Sequence, residues 1–177
     1  MGILIIDTSS DEGLLALVVE GHIAAEVRLS NGPGLSKALS LELKKMVDRK
    51  PTSIVAGTGP GSFTGIRVGL ALAQGLALGW EIPLLKVCSL SGFREEIVAI
   101  DARSSGFYVR FGGAPPRLLS VHEAETALAG LDVFSPHPSR ILERLPSLRP
   151  QQATLDPLMF LKKSVESLRM NTPSNQP

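Results

Sequence analysis

Two aspartates stand where a chain that handles metal or phosphate would place them. Asp7 closes the apolar run 3–6 and opens the small polar stretch Thr8-Ser9-Ser10, and Asp101 closes VAI and opens ARSSG. A carboxylate at a strand end followed by hydroxyls suits a phosphotransferase, so Asp7, Thr8 and Ser9 are candidate nucleotide-binding residues. The same pattern arises when an aspartate only closes its own turn through the next two residues. A second candidate is GTGPGSFTGIR, residues 57–67. Its Gly57, Gly59, Gly61 and Gly65 let backbone turn tightly and approach something closely, Ser62 or Thr64 can cap the helix that follows, and an anion could sit at that helix start. It is not a Walker A loop, because it has no Lys-Ser/Thr pair. In a GxGxxG reading Ser62 takes the place of the third glycine, and the acidic residue at the right distance, Glu81, precedes the next strand instead of ending it. A turn that seats the helix is the reading these residues favour.

Other chemistry finds little to build on. His22, His122 and His137 are scattered without the paired spacing a metal site on one helix needs. No Ser–His–Asp or Cys–His set can be assembled from spacing. Cys88, the single cysteine, falls in an expected strand and reads as a small buried hydrophobe. The expectation is therefore no catalytic residue, no metal and no cofactor.

Periodicity supplies the elements that carry these residues. Residues 3–6, 14–20 and 23–29 read as strands close enough to form antiparallel hairpins. Over 35–50, Leu35, Leu39, Leu43 and Met46 recur at spacings of 4, 4 and 3, an amphipathic helix that Pro51 stops. A short strand over 53–57 leads through the glycines into a second helix over 65–80, and 84–89 is a further strand. Beyond the strand pair in VAIDARSSGFYVRF lie helices over 121–129, 139–145 and 157–169 and a short strand over 132–134. The polar tail NTPSNQP is expected to be disordered.

LIIDTSSDEGLLALVV and VAIDARSSGFYVRF share strand, aspartate, small turn and strand, and the step from Asp7 to Asp101 is an offset of 94 residues. A fixed offset suggests a duplicated α/β lobe. At 177 residues the chain has room for one domain or two small lobes. A net charge of +1 with 44% hydrophobic residues and a mean hydropathy of +0.18 exclude wholesale disorder. Residues 1–101 carry 9 basic and 11 acidic side chains and residues 102–177 carry 9 and 6, so neither half is a nucleic-acid platform by itself. The apolar stretch 68–80 is too short to span a bilayer and the N-terminus lacks a signal peptide's basic start. A soluble, cytoplasmic protein is expected.

The helix after the glycines carries Gly65, Gly69 and Ala73 four residues apart, which leaves one face almost flat. Flanked by Ile66 and Leu70, and with Leu39, Leu43 and Met46 on the preceding helix, this face is expected to meet a partner. Packing against the chain's own sheet is the alternative.

GTGPGSFTGIRVGLALAQGLALG, with the opening ILIIDTSS, the later VAIDARSSGFYV and the near-terminal DPLMFLKK, resembles the TsaB (YeaZ) family of threonylcarbamoyladenosine biosynthesis proteins. The resemblance covers most of residues 2–110 and is patchy beyond. It implies an α/β, actin-like fold of two ribonuclease-H-like lobes, the first over 1–98 and a reduced second over 99–170, with a tail over 171–177. It implies a non-catalytic scaffold subunit that pairs through its first-lobe helices with a TsaD-like transferase, the enzyme that modifies the adenosine beside the tRNA anticodon. A TsaE-like ATPase is a further implied partner, a homodimer forms when the TsaD-like protein is absent, tRNA is met only through the complex, and no membrane is involved. The second lobe departs from the family: it is shorter, lacks a full helix between Leu145 and Asp156, and has DPLMFLKK where PLYLR is more typical. The alternative left open by the two aspartates is a degenerate actin-like nucleotide-binding enzyme, a phosphotransferase or ATPase.

Overall fold

The computed structural model of the chain describes residues 2–171; the side chains from 167 on, and the expected tail beyond Asn171, lie outside the described residues. β1 (Gly2–Asp7), β2 (Glu12–Val19) and β3 (His22–Ser30) form an antiparallel meander, and β4 (Ser53–Gly57) and β5 (Leu84–Val87) extend it in parallel, giving the order β3-β2-β1-β4-β5. Alternation along the strands sorts the side chains between two faces. Leu4, Ile6, Leu15, Ile54 and Ala56 point to one face, where α1 (Leu35–Met46) and α2 (Phe63–Trp80) cover them. Ile5, Leu14, Ala16 and Val55 point to the other. In α1 the expected stripe Leu35, Leu39, Leu43 and Met46 is buried as a set. The helix ends four residues short of the expected boundary, because Val47 is already extended and the residue before Pro51 disfavours helix.

The second sheet repeats the first. β6 (Ile97–Asp101), β7 (Phe107–Phe111) and β8 (Arg117–Leu119) are antiparallel, β9 (Phe134–Ser135) and β10 (Gln151–Gln152) parallel, and the order is β10-β9-β6-β7-β8. Counted within each lobe, both sheets run 3-2-1-4-5. Asp7 and Asp101 are each the last residue of their lobe's first strand, opposite Leu14 and Phe107 on the second, as the repeated motif leads one to expect. The second lobe is reduced: its outer strands are two or three residues long, and α3 (Val121–Leu128) and α4 (Pro138–Arg144) cover Ala99, Phe107 and Val109.

A third hydrophobic cluster joins the lobes, with Ile5, Leu14 and Val55 from the first and Val98 and Ile100 from the second. α5 (Pro157–Asn171) packs into it. It follows the second lobe in sequence but lies across β1, β2, β4 and β5 of the first, with Phe160 fully buried. The expected boundary that gave 99–170 to the second lobe is corrected here: α5 completes the core of the first. No helix among the described residues is long and apolar enough to cross a membrane.

Candidate functional site

The residues after β1 form a tight buried turn. Asp7 Oδ1 accepts hydrogen bonds from Ser9 N (2.7 Å) and Ser9 Oγ (2.6 Å). Thr8 Oγ1 donates to Gly65 O (2.6 Å), Ser62 N donates to Ser9 O (2.6 Å), and Asn31 Nδ2 donates to Thr8 O and Ser10 O (both 3.0 Å). Ser62 caps α2 by accepting from Gly65 N (3.2 Å). The glycine-rich segment thus cradles the chain's own turn. A Cβ at Gly57 would overlap Asp7 Oδ2, one at Gly61 would overlap Ser9 O, and one at Gly65 would overlap Thr8 O. Close approach requires glycine at these points, and the thing approached is the chain's own turn, the Asp7 carboxyl and the Thr8 and Ser9 carbonyls.

Asp7, Thr8 and Ser9 are therefore inside the fold, at 0, 1 and 3% exposure. No hydrogen bond reaches Asp7 Oδ2: the nearby Ser89 hydroxyl favours the carboxylate electrostatically but accepts from Gly59 N (2.8 Å) and lacks the geometry to serve that oxygen. Burial outweighs the help of Ser89 and Ser9 and pushes the Asp7 carboxyl up from its ordinary value. A carboxyl enclosed in this way, whose charged form burial disfavours, is poorly suited to hold a cation.

Between the lobes lies a cleft of about 470 Å³, walled by Ser9, Ser62, Phe63, Arg103, Tyr108 and His137 among others. Of the three candidate nucleotide-binding residues only Ser9 reaches it, which corrects the expectation for Asp7 and Thr8. Asp101 does line the cleft, but Arg144 engages it: its Nη1 donates to Asp101 Oδ1, Arg103 O and Gly106 O, and its guanidinium lies 4.7 Å from the centre of the Phe107 ring. Both strand-end carboxylates are thus held by the chain itself, one by burial and one by an arginine. No group of three or more potential metal ligands occurs among the described residues.

The small-residue face expected to meet a partner also turns inward. Gly65, Gly69 and Ala73 are the buried residues of α2, and a Cβ at Gly69 would overlap Thr8 Oγ1. Leu39, Leu43 and Met46 are buried beside them, and Ile66 and Leu70 are half-buried. Gly65, Gly69 and Ala73 with Leu39, Leu43 and Met46 hold the helices to the sheet, so their assignment to a partner surface is corrected, and Ile66 and Leu70 stay partly exposed at the flanks. The outward face of α2 carries a second small stripe, Ala71, Gly75 and Gly79, all exposed. Nothing lies within 4 Å of a Cβ at Gly75 or Gly79. Phe63 and Leu78 stand beside it 68 and 82% exposed, and Leu41 of α1 is 48% exposed. The missed residues Asn31 and Arg144 lie 23 and 43 positions from the turn and the aspartate they serve, and Ser89, which lies near Asp7, is 82 positions from it. No local spacing could have marked them.

Two ribonuclease-H-like sheets of one topology, joined by a core and facing each other across a cleft, define the actin-like class of fold. YeaZ from Pseudomonas aeruginosa superimposes with a TM-score of 0.69 at 24% identity, over 96% of this chain and 93% of that one. In sequence, the tRNA threonylcarbamoyladenosine biosynthesis protein TsaB of Escherichia coli K12 is 34% identical over 124 residues, 61% of this chain and 53% of the relative. TsaB of Bacillus subtilis 168 is 35% identical over 96 residues, 51% and 42%. The chain thus spans about half the length of the curated relatives it matches. A family model described as TsaD, tRNA N6-adenosine threonylcarbamoyltransferase, matches residues 40–110. In sequence the chain is thus similar to proteins named TsaB, and its fold is that of YeaZ.

Proposed function

We propose that the chain is a non-catalytic scaffold subunit in tRNA threonylcarbamoyladenosine biosynthesis, working in the cytoplasm. In this reading it pairs with a TsaD-like threonylcarbamoyltransferase, and in that assembly with a TsaE-like ATPase. It touches tRNA only through the complex, and a second copy takes the transferase's place when the transferase is absent. The names of its sequence relatives support the pathway. The observation that carries the scaffold role is the outward face of α2, where the open stripe Ala71, Gly75 and Gly79 lies beside exposed Leu78 and Phe63. A flat apolar ridge of this kind admits another helix at close range. The engaged states of Asp7 and Asp101 support the absence of catalysis.

Co-purification with the TsaD-like protein of the same cell tests the reading. A stable complex is expected, lost in Gly75→Leu while that variant keeps its fold; failure of the wild-type proteins to associate overturns it. The alternative, a nucleotide-binding enzyme, draws on the interlobe cleft. It predicts ATP binding and turnover by the isolated chain, where the scaffold reading predicts neither.

A further inference from the structure

The turn that carries Asp7 continues to Asp11, and there it meets the other lobe. Asp11 belongs to the β1–β2 connection, while His137 and Arg140 belong to the start of α4, more than 120 residues away in sequence. Arg140 grips the Asp11 carboxylate with both terminal nitrogens, Nη1 at 3.3 Å and Nη2 closer. His137 meets the same residue twice: Nε2 accepts from the Asp11 backbone N–H at 3.3 Å, and Nδ1 lies 3.4 Å from Asp11 Oδ2. All three residues line the interlobe cleft.

These contacts fix a protonation state. An imidazole whose Nε2 accepts from an amide must carry its single proton on Nδ1, where it faces the carboxylate. A second proton would turn Nε2 into a donor opposed to the Asp11 N–H and remove that hydrogen bond. The charged groups that face His137 are Asp11 from the β1–β2 turn, Arg140 from α4, and Arg103 and Asp101 from the end of β6 and the turn after it. Asp11 and Asp101 favour the imidazolium, but each is already paired, with Arg140 and Arg144. Arg140 and Arg103 oppose it, and the His137 side chain is only 12% exposed.

We infer that the Asp11 turn and the first turn of α4 form a latch across the interlobe cleft, closed while His137 is neutral and released when it takes up a proton. Release removes the hydrogen bond that holds the Asp11 backbone to the second lobe, leaves Arg140 alone on the Asp11 carboxylate, and adds the imidazolium to Arg103 and Arg140 on the cleft wall. The shared core of Ile5, Leu14, Val98 and Ile100 keeps the lobes joined, so the change is local to the mouth. Burial, the largest influence, holds His137 below its ordinary value of 6.5, which places release on the acid side of neutrality.

The Asp11 amide reports the latch directly, because His137 is its hydrogen-bond acceptor. Amide exchange followed by NMR should show its protection factor falling tenfold or more as pH is lowered from about 7.5 to 5.5, along the titration of the His137 ring, while Ile5 and Leu15 keep theirs. His137→Gln cannot titrate and should abolish the step. If that variant does not fold, Asp11→Asn serves instead: losing the carboxylate should move the His137 titration to lower pH, and the amide step with it. Arg140→Ala should lower Asp11 protection at every pH. An Asp11 protection factor independent of pH in the wild type, or a step that persists unchanged in His137→Gln, would overturn the latch.

Discussion

Gly69 lies directly against Thr8: a Cβ there would overlap the Thr8 hydroxyl, which donates to Gly65 O one turn earlier on α2. The helix is thereby set onto the end of β1 at a distance only glycine permits. Gly69→Ala must push the helix off or turn the Thr8 side chain away, and overpacking of this kind costs roughly 1–3 kcal/mol. Gly69→Leu should cost more and lose its cooperative thermal transition. Gly75→Leu, on the open side, should melt at or above the wild-type temperature, since replacing an exposed helical glycine gains about 0.5–1 kcal/mol. Thermal unfolding of the three variants checks this, and a folded, stable Gly69→Leu would refute the packing.

The sequence shows that α2 has small residues at helical spacing without showing which side meets the sheet. Two such stripes exist, one through Gly65, Gly69 and Ala73 and one through Ala71, Gly75 and Gly79. The choice between them depends on Thr8 and Ile6, far away in the chain. The repeat of strand, aspartate and turn was legible because hairpin pairing is local, so the first three strands of the first lobe and the first two of the second could be read, while the three-residue β8 could not. The two-residue strands β9 and β10 are too short to show alternation. Of the latch residues only His137 drew notice in the sequence, as one of three scattered histidines, and its meeting with Asp11 and Arg140 is a property of the closed fold.

Asp7 should reveal itself through pH. Its carboxyl is raised in the folded state by burial, so at pH between the unfolded and the folded value the native chain holds a proton that the unfolded chain has released. The stability this adds is full below the ordinary carboxylate value of 3.8 and is lost as pH rises through the folded value. Asp7→Asn keeps an acceptor for Ser9 and offers an amide where Oδ2 has no partner. Its stability relative to wild type should therefore increase with rising pH, read from urea midpoints between about pH 4 and 8. Asp7→Ala removes both Ser9 hydrogen bonds and should be less stable than Asp7→Asn by about 1–3 kcal/mol. A pH-independent difference between Asp7→Asn and wild type would contradict the raised carboxyl.

Arg144 anchors the corresponding corner of the second lobe. Removing it leaves a carboxylate that is 6% exposed without its counter-charge, held only by the Arg103 N–H, while Arg103 O and Gly106 O keep their backbone donors Gly106 N and Ala102 N. Breaking a buried pair by deleting one partner costs about 3–5 kcal/mol; Arg144 is 28% exposed, so roughly 2–3 kcal/mol is expected for Arg144→Ala. Asp101→Asn in the same background should recover part of the loss, because the stranded charge is gone. A double-mutant cycle by chemical denaturation measures this, and additive losses would show that the two side chains do not act together.

The last prediction concerns α5, whose place in the chain and place in the fold differ. Phe160 is fully buried, and its ring fills the space a side chain at Gly92 would need. It shares a cluster with Ile5, Leu14 and Val55 of the first sheet and with Val98 and Ile100 of the second. Phe160→Ala should lower stability by about 3–5 kcal/mol, enough to unfold a marginal domain. The loss should register in the first lobe: amides of β1 and β4 should exchange faster in the variant, because α5 is the α-helix that packs across that sheet face among the described residues, while the α3 and α4 face of the second lobe, built on Ala99, Phe107 and Val109, should change less. Exchange measured residue by residue separates the outcomes. Equal acceleration in the core strands of both lobes would mean that they unfold as one unit, and acceleration confined to the second lobe would mean that α5 belongs there after all.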